Sequence, residues 1–175
     1  MKESEGLTFD KDIERIFTVR GIANILISAF LLLFAISLGT FIHESGHAIA
    51  AAFFSCKYNM SSNVFTGATA IECPFEGVAY NRALILISLA GPLLAFAVGT
   101  ILYFMTEHGF TRSAGALIWI ISVIPSLSPF LPMADMHVAI QAGLNPIVGW
   151  MIFLLITGFC AYHYFIEMQD VRWIV

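Results

Sequence analysis

Long apolar runs alternate with short polar ones along this chain. The first, residues 21–54, reads GIANILISAFLLLFAISLGTFIHESGHAIAAAFF. At about 1.5 Å per residue, a helix through it exceeds the roughly 30 Å hydrocarbon core of a bilayer and must tilt or protrude. Further runs cover residues 83–105, 113–133 and 143–166. The third ends in SLSPFLP, with Pro125, Pro129 and Pro132. Proline at membrane depth is tolerated where the freed backbone is buried in protein or lines a wet cavity, so broken helix beside a site is expected here. Plain helix termination accounts for the same prolines. Residues 55–82 carry turn residues and the short runs SNVF and ATAIE, which predict a small hairpin or two extended strands. In residues 1–20, Ile13, Ile16 and Phe17 fall at helical spacing among charges, fitting an interfacial amphipathic turn or an ordinary polar terminus equally well. The pattern predicts an all-α membrane protein of about four transmembrane helices, with a β-hairpin-like loop after the first. Residues 1–20 form a polar N-terminal segment and residues 21–175 one membrane-embedded core.

Composition agrees. Only 11% of the 175 residues are charged and the mean hydropathy is +0.86, whereas soluble domains carry about a quarter charged residues. The lipid bilayer is thus the first partner. The net charge is −4 with no basic tract, which argues against nucleic acid. Cys56, Cys73 and Cys160 make an odd set without a CxxC pair and are read as reduced, apolar-like thiols. Cys56 and Cys73 could pair only if their loop faced an oxidising compartment. Ala48-Ile49-Ala50 resembles a signal-peptide cleavage site. The apolar stretch before it, however, is far longer than a signal core of about 7–15 residues, so cleavage there is rejected.

The charges inside the apolar runs change the picture most. Between Arg20 and Lys57 the only formal charge is Glu44, and between Arg112 and Glu167 it is Asp135. A carboxylate at the centre of a membrane helix costs about 2.5–3.5 kcal/mol on insertion scales, and a metal ion is a strong compensating partner. His43 and His47 stand at i and i+4, so on a helix both imidazoles leave one face and suit two corners of a zinc tetrahedron. Glu44, beside the first, can take a proton from an activated water without ligating the ion. A catalytic zinc needs a third protein ligand; Asp135 is the leading candidate and His137 its rival. His163 is read as structural and His108 as solvated, while Glu72 and Glu76 could reach a metal only from a re-entrant loop.

These residues resemble the site-2 protease family of intramembrane zinc metalloproteases. HESGH is followed by PFEGVA (Pro74–Ala79), similar to the family's PFGGVA-like stretch, by SLAGPLLAF (Ser88–Phe96), similar to its AGPLANF helix, and by SLSPFLPMAD (Ser126–Asp135), similar to its NLLPxxPxDG segment. The resemblance spans residues 42–142. It implies one zinc ion per chain held by His43, His47 and Asp135, with Glu44 as general base. It also implies that a strand over Ala68, Thr69, Ala70, Ile71 and Glu72 holds an unwound transmembrane protein substrate as an added strand. The family's amide-bearing asparagines fall at Ala95 and Ser126, so any oxyanion-steadying role passes to Ser126, Ser128 or backbone groups. Met136 replaces the glycine after the aspartate, which keeps His137 in play.

The resemblance thus implies a zinc-dependent endopeptidase acting in or near a transmembrane segment. The alternative is a non-catalytic zinc-binding relative that only binds a transmembrane partner, favoured by Ala95, Ser126 and Met136 but not by Glu44. Metal transport is a third reading, for which only His163 and Glu167 hint at a path. On sidedness two arguments disagree. The positive-inside rule favours a cytoplasmic N-terminus, whereas the resemblance implies a cytosolic loop after HESGH. The second is preferred here, and a Cys56–Cys73 disulfide would reverse that preference.

Overall fold

The computed structural model describes residues 19–62, 67–105 and 109–170. Helix α1 runs Val19–Phe53 and is followed by strands β1 (Lys57–Ser62) and β2 (Gly67–Glu72). Helix α2 spans Gly77–Phe104 and α3 spans Gly109–Ile118; a π-helical turn, Trp119–Val123, and one last α-turn, Ile124–Ser126, continue α3. The short α4 (Asp135–Gln141) and the long α5 (Pro146–Asp170) complete the order. The chain forms two compact units, residues 1–34 and 35–175. In the first, Ile25, Leu26, Ile27 and Phe30 are exposed. The site described below lies wholly within the second. The expected amphipathic residues Ile13, Ile16 and Phe17 lie outside the described residues.

Helix is the dominant structure, and among the described residues three helices are long and apolar enough to cross a membrane: α1 from Gly21, α2, and α5 as far as Phe165. The third apolar run departs from a single long span. Its helix begins at Gly109, widens into the π turn and ends at Ser126, leaving Leu127 to Ala134 in turns. Pro129 and Pro132 lack the N–H that further helix would need.

The end of α1 sets up the hairpin. The N–H of Ser55 bonds the Ala52 carbonyl and that of Cys56 the Ala51 carbonyl, with Ser55 at φ 57°. This is a Schellman stop, and its usual apolar contact is present because Ala51 and Cys56 share a buried cluster with Ala83 and Ile87. The chain therefore enters β1 at Lys57, directly after the helix, rather than at the SNVF run, whose residues 63–65 lie outside the described residues. The antiparallel register pairs Lys57 with Glu72 and Ser62 with Gly67. Cys56 and Cys73 are thus the next pair outward, and they form a disulfide with Cα atoms 4.2 Å apart. The expectation of three free thiols is corrected: only Cys160 is free, and it is buried.

A second Schellman stop closes α4. Gly143, at φ 109°, donates to Ile140 and Leu144 donates to Ala139. Two residues later the Asn145 side chain caps the Ile147 N–H at 2.9 Å, with Pro146 as the first residue of α5. The main core gathers Ala95, Tyr103, Ile118, Trp119, Val123, Leu127, Met136 and Cys160. Ala95 and Met136, where the family pattern has polar or small residues, are both fully enclosed. Outward-facing Ile49, Phe53, Leu86, Leu93, Ile101, Leu154 and Leu155 are exposed, as expected where the surrounding solvent is lipid.

Candidate metal centre

His43, Glu44 and His47 leave the second half of α1 as buried side chains, exposed by 7%, 6% and 6%. They are enclosed because α2 crosses α1 at very short range. A Cβ on Gly46 would lie 2.5 Å from the Ala90 carbonyl oxygen, and one on Gly91 would strike the His47 ring. Small residues are what allow two helix backbones to approach this closely within a membrane. The AGP run of α2 is therefore part of the site's construction.

That crossing also orients His47. Its Nδ1 lies 2.7 Å from the Ile87 carbonyl oxygen, which only accepts, so Nδ1 carries the proton and Nε2 presents a lone pair. Nε2 of His47 lies 3.1 Å from Nε2 of His43. Asp135, in the first turn of α4, completes the group, with Oδ2 3.0 Å from His43 Nε2 and Oδ1 3.3 Å from His47 Nε2. Such crowding of electron-rich atoms calls for a proton or a cation between them. Glu44 lies with both imidazoles in a group, with ligand atoms within 4.8 Å of one another, able to hold a metal ion. Asp135 makes the closer approach to the histidines. Glu44 is instead turned toward the hairpin, where the Thr69 hydroxyl donates to its Oε2 at 2.6 Å. Gly67 of β2 leaves no room for a Cβ against the Glu44 carboxylate.

These groups open onto a cavity of about 480 Å³, walled by Gly67, Ala68, Thr69 and Ile71 on the hairpin side and by Ser88, Ser122 and Ser126 on the helical side. It is large enough for several waters or an extended segment of peptide.

The chain matches no protein-family model, no curated protein and no solved structure.

The remaining expected residues separate clearly. His137 turns away: its Nε2 accepts from the Gln141 amide at 3.0 Å and its Nδ1 lies 3.5 Å from the Pro129 carbonyl. It does not line the cavity, because on a helix it points well round from Asp135, two residues earlier. Ser126 lines the cavity, whereas Ser128 is buried elsewhere. Of the expected substrate strand, Ala68, Thr69 and Ile71 reach the cavity; Ala70 and Glu72 are exposed. Glu76 is exposed and does not line the cavity. His108 lies outside the described residues. Ser88 and Ser122, both buried and both on the cavity wall, were missed by the sequence reading. The available signal was two hydroxyls in otherwise apolar helices, one of them beside Ile87, whose carbonyl fixes His47.

Proposed function

We propose that this chain is an intramembrane zinc-dependent endopeptidase, similar to the site-2 protease family, that hydrolyses a peptide bond in or near a transmembrane segment of a membrane-protein substrate. In this reading the π-interrupted helical course from Gly109 to Ser126, about 27 Å at 1.5 Å per residue, serves as a fourth span beside α1, α2 and α5.

One observation carries the reading: two imidazoles and the Asp135 carboxylate converge while Glu44 is held by Thr69. The 3.1 Å between the imidazole nitrogens, and the 3.0 and 3.3 Å from them to the two different oxygens of Asp135, approach the roughly 3.3 Å edge of a tetrahedron with zinc–ligand bonds of about 2.0–2.1 Å. A zinc ion held there would supply Lewis-acid polarisation of a carbonyl and acidify water. Glu44, not required as a ligand, accepts the proton of the attacking water. As the C–N bond breaks, the same carboxyl returns that proton to the leaving amine nitrogen. Thr69 fixes one Glu44 oxygen, so the carboxylate is held in place before substrate arrives. Ser126 and Ser122 offer hydroxyls from the opposite wall to a developing oxyanion, in place of the absent amides.

The non-catalytic alternative draws on Ala95, which is enclosed in the core and offers nothing to a substrate. Against it stands the placement of Glu44, a costly charge that a purely structural metal site does not need. Bound zinc per purified chain tests the assignment. About one zinc in the native chain, lost in Asp135→Ala and kept in His137→Ala, is the expected result. Loss in His137→Ala alone, or no zinc in any form after metal is supplied, would sink the reading.

A further inference from the structure

The disulfide, the hairpin and the mouth of the cavity form one block. Cys56 and Cys73 close the base of the hairpin, and its second strand carries Gly67 and Thr69 onto Glu44. Glu44 is thereby covered from the hairpin side. We propose that this block faces an oxidising, non-cytosolic compartment, and that the substrates are membrane proteins cut in the half of the bilayer bordering that compartment. The cutting rests on the peptidase reading above; the sidedness takes from it only the count of four spans, and its disulfide argument stands without it.

Two independent observations fix the side. The first is covalent. The strand register places Cys56 opposite Cys73, and the bond between them persists where glutathione and thioredoxin do not reduce it. The second is the distribution of positive charge. Lys2, Lys11, Arg15 and Arg20 precede the first span, Arg112 stands in the connector after the second, and Arg172 follows the last. Only Lys57 and Arg82 flank the hairpin side. With four spans the six residues share one face, and the positive-inside rule makes that face cytoplasmic. The orientation implied by the family resemblance is reversed.

Depth follows from helix geometry. His47 and His43 lie about 9 and 15 Å from the Phe53 end of α1 at 1.5 Å per residue. The site therefore sits between the bilayer midplane and the hairpin-side interface, in a core of roughly 30 Å. A transmembrane segment reaches Glu44 by unwinding alongside β2, which forms the cavity wall at that end. The backbone bonds freed on unwinding need water or a strand, and only that side supplies both. The fragment lying beyond the cut on the hairpin side is released into the oxidising compartment.

Sealed right-side-out spheroplasts expressing the full chain provide the test. They are treated with an impermeant polyethylene-glycol maleimide, before and after a charged, impermeant phosphine. Cys160, 2% exposed, stays silent in the folded chain. The expected result is no gel shift before reduction and a two-label shift after it, absent from the Cys56→Ser/Cys73→Ser variant. A shift without reductant, or one that appears only after permeabilisation, overturns the assignment. An Asn59→Cys variant, at an exposed position of β1, keeps the test independent of the disulfide. It should take one label from outside without reduction, and labelling only after permeabilisation again overturns the assignment. Zinc measured on the same preparations separates the two readings. Outside labelling without zinc leaves the sidedness and sinks the peptidase; zinc with cytosolic labelling does the reverse.

Discussion

His43 and His47 stand between two carboxylates, beside a cavity edged with hydroxyls. His163, on α5, stands instead among Tyr103, Phe104, Phe159 and Tyr162, with ring centroids 4.6 to 5.8 Å away. Helix α2 builds both neighbourhoods. At its middle the small residues Ala90 and Gly91 admit α1, and the Ile87 carbonyl orients an imidazole. Near its C-terminal end, Tyr103 packs against Trp119 and sends its hydroxyl to the His163 backbone carbonyl at 2.9 Å. The difference lies in what the chain gives up. Around the metal group, apolar packing yields to charge and an open cavity, an arrangement that calls for a proton or a cation between its donors. Around His163, rings fill the space, and the Arg112 guanidinium lies over the Tyr103 ring at 5.2 Å. The open polar cavity and the close ring packing thus lie along different stretches of one helix.

The largest effect should come from the carboxylate that separates the two neighbourhoods. Glu44→Gln keeps the size and the Thr69 hydrogen bond but removes the base. Cleavage of a transmembrane reporter should fall by roughly a thousandfold, in line with the 10²–10⁴ typical of general bases, with zinc per chain unchanged. Cleavage close to native in that variant would move the proton transfer elsewhere.

The next change attacks the packed neighbourhood. Trp119 is 1% exposed and contacts Phe96, Tyr103 and Phe159. Trp119→Ala should cost about 3–5 kcal/mol through the void it leaves, read as a lowered unfolding temperature in detergent. The fraction that remains folded should still bind one zinc. Loss of zinc from folded protein would mean that the two neighbourhoods are coupled and that the contrast between them is wrong.

What could be read beforehand follows the same division. HESGH and Asp135 were legible because a charge in an apolar run is expensive, and so is rarely present without use. The corner between α4 and α5, made by Gly143 and the Asn145 cap, was read only as the start of the fourth apolar run. Other features depended on geometry with no local signature. The hairpin register, and with it the disulfide, follows from where α1 stops at Ser55, a residue that does not advertise a left-handed turn. Ser122 faces the cavity on a π turn, and an extra residue in one turn re-aims every side chain after it. The exclusion of His137 needed the start of α4, which falls at Asp135 with Ala134 as its N-cap and was obscured by the proline-rich approach.

A smaller effect is expected at the hairpin. Thr69→Val keeps the β-branched shape but removes the donor to Glu44. The turnover number should drop about tenfold, which is about 1.4 kcal/mol and close to the lower bound for a hydrogen bond to a charged group. The Michaelis constant and zinc content should be nearly constant, and Thr69→Ser should restore turnover. If Thr69→Val raised the Michaelis constant instead, the strand would act on substrate and not on the base.

The smallest effect belongs to His163. Among the described residues its ring packs against those of Tyr103, Phe104, Phe159 and Tyr162, and the Tyr103 hydroxyl bonds its backbone oxygen. His163→Phe therefore exchanges one flat aromatic for another of similar volume, a change worth less than about 1.5 kcal/mol. Zinc content and cleavage should both stay native. The outcome matters because a metal-transport function would need His163 as a station on a path through the membrane. A transport path broken at one station fails, whereas a peptidase whose ligands all lie on α1 and α4 does not notice. A fall in bound or transferred metal in His163→Phe would therefore count against the whole contrast between the two neighbourhoods along α2.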